Sequence, residues 1–248
     1  MRRVIARFSA ISALVLLAAC GDAPTGASSA VAAARVAPRF EVDPFWPRPL
    51  PNHWVLGSAI GVSVDSRDHV WIIHRPGSLN ADTEDTAGHT TAAGECCTAA
   101  PPVLEFDPEG NLVSSWGGPG EGYDWPESNH GITVDPMDNV WIGGNGDNDA
   151  HILKFTRAGR FLMQLGKPGA SGGSNDTVNY GQVAKISVDP EANEAFIADG
   201  YGNKRVAVID MTTGALKRYW GAYGNRPDDT DLGPYDPAAA PAQQFRNP

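Results

Sequence analysis

Three side chains of different chemistry stand at comparable places in three related segments of the sequence. Arg75 follows Ile72-Ile-His, His130 precedes Gly-Ile-Thr-Val-Asp, and Tyr201 lies within Asp199-Gly-Tyr-Gly-Asn. A guanidinium, an imidazole and a phenol on one rim could bind a carboxylate- or carbonyl-bearing ligand, polarise it and exchange a proton with it. The imidazole could also bind a metal, but one histidine makes no zinc site. A role in packing or in a loop is equally open for each residue.

The three segments share a phrase that predicts a pair of β-strands. The run Gly61-Val-Ser-Val-Asp-Ser-Arg-Asp-His-Val-Trp-Ile-Ile has counterparts that begin at His130 and at Lys185. In each, an alternating apolar run ends in Asp, a tight turn follows, and a second apolar run begins. Two further strands follow in each segment, joined by glycine-containing turns. The sequence therefore predicts an all-β protein built from four-stranded repeats.

Four-stranded repeats of this kind form the blades of a β-propeller, whose first strands line a central channel. The repeat period is roughly 40–50 residues once a long polar loop in the first repeat is set aside. We predict blades at about residues 58–117, 130–166 and 184–221, and the start of a further blade at residues 244–248. Because propellers have about four to eight blades, we expect residues 40–248 to be a C-terminally truncated part of a six-bladed protein.

The composition suits a turn-rich β protein and argues against one class of partner. The 248 residues include 28 glycines and 20 prolines, and charged residues make up only 19%. The net charge is −10, whereas phosphate binding needs a basic surface. We therefore expect no nucleic-acid partner. The expected ligand is a peptide or a small carboxylate-bearing molecule at the channel mouth.

The N-terminus predicts export. Residues 1–20 begin Met1-Arg-Arg and continue with a short apolar run that ends Leu17-Ala-Ala-Cys20, which is typical of a signal peptide with a bacterial lipobox. An ordinary signal peptide with a chance cysteine is the alternative. Residues 21–39 are rich in Ala, Ser, Gly and Thr and are predicted to form a flexible tether. The expected product is a cell-envelope lipoprotein that contacts the membrane only through lipid on Cys20.

Two further cysteines, Cys96 and Cys97, are adjacent in the polar loop of the first repeat. In an oxidising compartment they could form a vicinal disulfide, which is the interpretation we favour. Free thiols and ligands of a soft metal are the alternatives. Of the remaining histidines, we expect His74 to have a structural role and His151, at the start of a third strand, to be exposed.

The motifs, taken together, resemble one known family. Gly61-Val-Ser-Val-Asp…Ile-Ile-His-Arg75, Asn129-His-Gly-Ile-Thr-Val-Asp and Asp199-Gly-Tyr-Gly-Asn-Lys-Arg-Val are similar to three successive blades of the peptidyl-α-hydroxyglycine α-amidating lyases. These enzymes are six-bladed propellers of the NHL-repeat type. The resemblance covers roughly residues 56–248. It implies a zinc- and calcium-dependent carbon–nitrogen lyase that cleaves a carbinolamide to a peptide amide and glyoxylate, or a relative with a different substrate.

The resemblance also assigns roles to individual residues. Arg75 matches the active-site arginine, and Tyr201 matches the catalytic tyrosine that would act as base on the substrate hydroxyl. His130 matches one of three zinc-binding histidines. The backbone carbonyls of Val62 and Ile132 match those that bind a structural calcium. Because the other two zinc histidines would follow the last residue of this sequence, the chain alone is expected to be inactive.

Other functions are compatible with the same repeats. The main alternative is a non-enzymatic NHL propeller that binds a protein or peptide at the cell envelope. A gluconolactonase-type hydrolase is disfavoured because no glutamate stands clearly at the start of a first strand. The chain also departs from the lyase motifs at Gly202, where the family has a disulfide cysteine, and at Pro76, where it has glycine. The substrate can therefore differ although the fold is shared.

Overall fold

The computed structural model describes residues 37–79 and 97–248. The chain divides into two units, Met1–Val42 and Asp43–Pro248, and all of the strands that follow belong to the second. The strands are β1 (Trp54–Val55), β2 (Ser58–Val64), β3 (Val70–Arg75), β4 (Thr98–Ala99), β5 (Val103–Phe106), β6 (Leu112–Trp116), β7 (Asn129–Val134), β8 (Asn139–Gly144), β9 (His151–Thr156), β10 (Phe161–Gly166), β11 (Val183–Asp189), β12 (Glu194–Asp199), β13 (Arg205–Asp210) and β14 (Leu216–Trp220). Short 3-10 helices span Pro76–Ser78 and Ala222–Gly224.

Within the described ranges, three four-stranded antiparallel sheets make up most of the fold. We name them blade 1 (β2, β3, β5, β6), blade 2 (β7 to β10) and blade 3 (β11 to β14), and in each the strands pair in that order. The prediction of an all-β protein built from four-stranded repeats is confirmed, and the sheets have the form of propeller blades. The total of six blades stays a prediction.

The aspartate after the first strand of blade 2 explains why the turn forms there. Asp135 Oδ1 accepts hydrogen bonds from the backbone N–H groups of Met137 (2.9 Å) and Asn139 (2.8 Å). Asp138 adopts a φ of 63°, a left-handed conformation that Asp and Asn tolerate better than most residues. Asp135 Oδ2 accepts a hydrogen bond from Trp141 Nε1 at 2.9 Å. One buried carboxylate thus holds both the turn and the next strand.

Blade 1 repeats this arrangement, and blade 3 keeps only part of it. Asp65 Oδ2 accepts a hydrogen bond from Trp71 Nε1 at 3.1 Å. Burial acts to raise the pKa of Asp65, but hydrogen bonds from Trp71, from backbone N–H groups and from Arg157 outweigh it and lower the pKa to about 2. In blade 3 the tryptophan position is Phe196, so Asp189 holds the turn alone, through two backbone N–H groups.

Apolar side chains from adjacent blades form the core. Trp71 is fully buried between blades 1 and 2, and Trp141 is fully buried between blades 2 and 3. Burying a large apolar side chain stabilises a fold by roughly 1.5–3 kcal/mol. The tryptophan of each of these two blades therefore packs against the next blade, while its indole N–H is held by its own blade.

The segment of residues 43–57, which precedes blade 1, packs on the face of that blade away from blade 2. The ring of Trp46 lies 5.6 Å from that of Phe106, and Trp46 Nε1 donates a hydrogen bond to the Pro108 carbonyl at 3.3 Å. β1 in this segment pairs in parallel with β4, a contact between distant parts of the chain that the sequence did not indicate. Cys97, just before β4, is disulfide-bonded.

Several sequence predictions fall outside the described residues. These are the signal peptide, the lipidation of Cys20, most of the tether and Cys96, which is the predicted partner of Cys97, so the vicinal disulfide stays a prediction. In the part of the chain that the structure describes, no helix is long and apolar enough to cross a membrane.

Because the aspartate of blade 2 binds an indole and that of blade 3 does not, we expect an Asp→Ala substitution to lower the free energy of unfolding more in blade 2 than in blade 3. Asp135→Ala should lower the free energy of unfolding by about 2–3 kcal/mol, because it leaves buried donors without a partner. Asp189→Ala is the matched control, since Asp189 also precedes a proline but is exposed and binds no indole; its cost should stay below about 1 kcal/mol. Denaturant unfolding followed by circular dichroism measures both. Equal costs would contradict the assigned role.

Candidate functional site

A β-bulge at the start of β7 directs the His130 side chain towards blade 3. The pairing of β7 with β8 shifts register between His130 and Ile132, and the intervening Gly131 has a φ of 76°. Glycine is the residue that adopts this conformation without strain. A Cβ at Gly131 would lie 3.3 Å from the carbonyl oxygen of Ala184, so blades 2 and 3 are in close contact here.

The carbonyl of Ala184 fixes the tautomer of His130. His130 Nδ1 lies 3.1 Å from this oxygen, which can only accept, so Nδ1 carries the proton and Nε2 carries the lone pair. Burial lowers the pKa of His130, the hydrogen bond to Ala184 opposes this, and the positive charge of Arg75 lowers the pKa further. The imidazole is therefore neutral at pH 7. A neutral ring with its second nitrogen held by a carbonyl is the form that binds metals and accepts protons.

Tyr201 of blade 3 meets this lone pair. The Tyr201 hydroxyl oxygen lies 3.1 Å from His130 Nε2, and the two rings stand edge to face with centroids 5.1 Å apart. Because Nε2 accepts, the phenol donates. Tyr201 is 47% exposed, so the pair faces solvent at the rim rather than the core. The structure thus brings together two of the three residues that the sequence singled out.

The loop that carries Tyr201 is fixed at its base by a buried ion pair. Asp199, at the end of β12, accepts hydrogen bonds from Asn203 Nδ2 and Arg205 Nε, both at 2.8 Å. Burial raises the pKa of Asp199, and Arg205 is the strongest of the groups that oppose this. The guanidinium of Arg205 also donates to the carbonyl of Asn179 at 2.8 Å. The base of the loop is rigid, and its tip presents the phenol.

Arg75 reaches from blade 1 over the start of blade 2. Its Nε donates to the Asn129 carbonyl at 3.2 Å, and its Nη2 donates to Asn145 Oδ1 at 2.7 Å. Asn129, the residue before His130, in turn donates from Nδ2 to the His74 carbonyl at 3.0 Å. Among the described residues, Arg75 Nη1 has no hydrogen-bond partner, so it can meet an anionic ligand.

A cavity of ≈ 400 Å³ adjoins Arg75. Its wall includes the indole of Trp125 and four prolines that make it rigid and largely apolar, namely Pro76, Pro102, Pro119 and Pro126. Arg75 and Glu127 are the charged residues of its lining. Clefts of this size with a mostly apolar wall and a few polar groups are typical of small-ligand sites. The sequence did not indicate this cavity, because its wall comes from loops of two blades.

Of the ligands that a zinc site requires, the described residues supply one, His130. His130 Nε2 offers a lone pair in the correct tautomer, but structural and catalytic zinc sites use three or four protein ligands. Among the described residues, no group of three His, Cys, Asp or Glu side chains compact enough to hold a metal includes His130. A zinc ion here would need further ligands from other residues.

The calcium expectation does not fit the residues at its site. The carbonyl of Ile132, one of the two expected ligands with that of Val62, accepts a hydrogen bond from Lys185 Nζ at 3.2 Å. An ammonium group at this carbonyl repels a divalent cation.

One compact group of acidic and histidine side chains does occur in the described residues, and it consists of Asp65, His69 and Glu105. Arg157 from the loop between β9 and β10 already fills it. The guanidinium lies 2.6 Å from Asp65 Oδ2 and 3.0 Å from His69 Nδ1, and it also contacts Glu105. The group is an ion-pair cluster that joins blades 1 and 2, with arginine as its cation.

Two other histidines are structural. His74 is fully buried; its Nδ1 accepts from the Gly57 backbone and its Nε2 donates to the Pro101 carbonyl at 3.0 Å. The expectation that His151 is exposed is wrong, because only 1% of it is accessible. The chain before β7 folds over it, and its Nε2 lies 2.7 Å from the Asp124 carbonyl.

Comparisons with known proteins give one relative in sequence. No family model matches the chain. It is 28% identical over 185 residues to "Peptidyl-alpha-hydroxyglycine alpha-amidating lyase 1" of Drosophila melanogaster, an alignment that covers 71% of this chain and 31% of the relative. The chain thus spans about a third of the length of this curated relative.

Two solved structures resemble the chain weakly, at a lower sequence identity than the Drosophila protein. Kuenenia stuttgartiensis hydrazine synthase has a TM-score of 0.36 at 12% identity, with 66% of this chain and 49% of that chain covered. Apo AztD from Citrobacter koseri has a TM-score of 0.31 at 10% identity, with 68% and 48% covered. Neither structure carries a functional argument at these scores.

The positive charge of Arg75 should affect the pKa of His130. In the native protein its pKa should lie below about 6.5, the ordinary value for histidine. Arg75→Gln should raise this pKa, because it removes a positive charge that disfavours the imidazolium. Arg75→Lys keeps the charge and should leave the pKa low. Histidine NMR signals followed through a pH titration measure all three proteins. A pKa that is unchanged or lower in Arg75→Gln would contradict the proximity of the two groups.

Proposed function

We propose that the protein is an NHL-type propeller whose rim cleaves the C–N bond of an N-acyl-α-hydroxyglycine, releasing an amide and glyoxylate. The observation that carries the proposal is the 3.1 Å contact between the Tyr201 hydroxyl and His130 Nε2, beside Arg75. The sequence similarity to the Drosophila lyase supports the reaction class. Such a substrate offers a carboxylate, a hydroxyl and an amide nitrogen around one carbon, and these groups match the chemistry of the three residues.

Arg75 would bind the substrate carboxylate. Its Nε and Nη2 are fixed by Asn129 and Asn145, so the side chain is held in place before a ligand arrives. Preorganisation of this kind lowers the entropic cost of binding. The apolar cavity beside Arg75 suits the acyl part of the substrate.

Tyr201 and His130 would move the proton. The substrate hydroxyl proton passes to the phenol oxygen of Tyr201 while the phenol proton passes to His130 Nε2. The hydroxyl oxygen becomes the aldehyde oxygen of glyoxylate as the C–N bond breaks and its electron pair goes to nitrogen. The nitrogen takes the proton that His130 Nε2 accepted and leaves as the amide. A histidine whose pKa is lowered returns its proton readily, so the pair is restored without a further reactant.

A metal and a proton compete for the same lone pair. Bound at His130 Nε2, zinc would supply a Lewis acid for the reacting oxygen. A ligating Nε2 could not accept the phenol proton, so His130 would then orient the metal and Tyr201 would act as base alone. A zinc chelator distinguishes the two roles of His130. It should abolish activity if His130 binds zinc, and it should leave activity unchanged if His130 accepts the phenol proton.

Glyoxylate release from an N-acyl-α-hydroxyglycine tests the proposal, with protein expressed from its complete gene and zinc present. Tyr201→Phe should lower kcat at least about 100-fold, because it removes the proton acceptor. Arg75→Ala should mainly raise KM, because it removes the carboxylate anchor. Tyr223→Phe is the matched control, since Tyr223 is an exposed tyrosine; its activity should be that of the native protein.

Two results would count against these roles. Native activity in both Tyr201→Phe and Arg75→Ala would show that the roles are misassigned. Absence of glyoxylate, with tight binding of an unreactive N-acylglycine that depends on Arg75, would favour the non-enzymatic propeller that binds a peptide at the cell envelope.

We further propose that the protein is exported and anchored through lipid on Cys20, on the basis of the leader sequence alone. In a bacterial host, labelled palmitate should enter the native protein but not Cys20→Ser, because the lipid is attached through the thiol. Mass spectrometry of the mature N-terminus checks the cleavage position. An unlabelled protein cleaved elsewhere would show an ordinary signal peptide instead.

A further inference from the structure

We propose that the ammonium group of Lys185 is a built-in cation of the channel wall, which joins blade 3 to blade 2 at the carbonyl where the family resemblance implies calcium. Lys185 Nζ donates to the carbonyl oxygen of Ile132 at 3.2 Å. The inference concerns the wall of the channel and is independent of the activity proposed for the rim.

The position of Lys185 in its strand differs from those of the other two blades. Lys185, Gly61 and Gly131 each stand four residues before the aspartate that begins the turn after the first strand. A Cβ at Gly61 would lie 2.9 Å from Ile73 Cγ2 and 3.1 Å from the Cα of Gly131, so a side chain there would be crowded by both blades. Lys185 is an exposed residue of β11, and its long side chain crosses back to blade 2.

Neutral hydrogen bonds also join the first strands of adjacent blades. Thr133 Oγ1 donates to the Ile186 carbonyl at 2.6 Å, between blades 2 and 3. The backbone N–H of Val134 donates to Ser63 Oγ at 3.1 Å, between blades 1 and 2. Adjacent first strands are therefore linked by single side chains rather than by a strand ladder, and Lys185 supplies the charged link.

The surroundings favour an ammonium over a divalent metal. Ile132 is 1% exposed, so its carbonyl needs a donor from the protein. A calcium ion would need several oxygen ligands, usually with carboxylates among them. Among the described residues, the one compact group with carboxylates is already filled by Arg157.

Thermal unfolding of the whole chain tests the inference. The native Tm should be the same in millimolar calcium and in excess EGTA. Lys185→Met, which keeps the apolar stem and removes the charge, should lower the Tm by about 2–4 °C, the shift expected when a domain of this size loses one such bond. Lys185→Arg keeps a donor cation and should restore most of the Tm. Lys167→Met, on the exposed loop after β10, is the matched control and should leave it unchanged.

Two results would overturn the inference. One is a saturable rise of the native Tm with calcium, accompanied by calcium binding in isothermal titration. The other is a Tm of Lys185→Met equal to that of the native protein. Neither readout depends on glyoxylate release, so failure of the wall assignment is distinguishable from failure of the proposed reaction.

Discussion

A buried carboxylate at the end of the first strand is the constraint on which the blades depend. In blades 1 and 2 it binds the N–H groups of the turn with one oxygen and an indole N–H with the other. The same tryptophan then packs against the next blade. The local turn and the contact between blades are thus held by one side chain. A change there would disturb the conformation of the hairpin and the position of its neighbour together.

The rim site is a product of contacts between blades. Arg75 of blade 1 is fixed by Asn129 of blade 2, and His130 of blade 2 is fixed by Ala184 of blade 3. No single blade holds a complete pair, so the site forms only as accurately as the blades pack. Arg157 and Lys185 also make contacts between blades, since each side chain crosses from its own blade to the one before it.

Features set by neighbouring residues could be predicted from the sequence, and features set by distant ones could not. The strands around Asp135 follow from alternating apolar residues and a turn signal, all within one hairpin. The contact between His130 and Tyr201 depends on a bulge and on how two blades meet, which no local pattern encodes. The burial of His151 does not follow from local sequence for the same reason, since a separate loop covers it. Position 185 carries lysine where the other two repeats carry glycine, but the carbonyl that the lysine binds follows only from how blades 2 and 3 meet.

The base and the tip of the Tyr201 loop differ in how well they tolerate substitutions. Its base, where Asp199 and Arg205 are fully buried, tolerates little, since any substitution there leaves a charge without its partner. At its tip, Tyr201 is about half exposed and contacts His130 through its ring and hydroxyl group. The side chain at position 201 can therefore be exchanged over evolutionary time at little cost to folding. A scaffold of this kind acquires new chemistry by drift at single positions, and relatives with the same blades need not share a substrate.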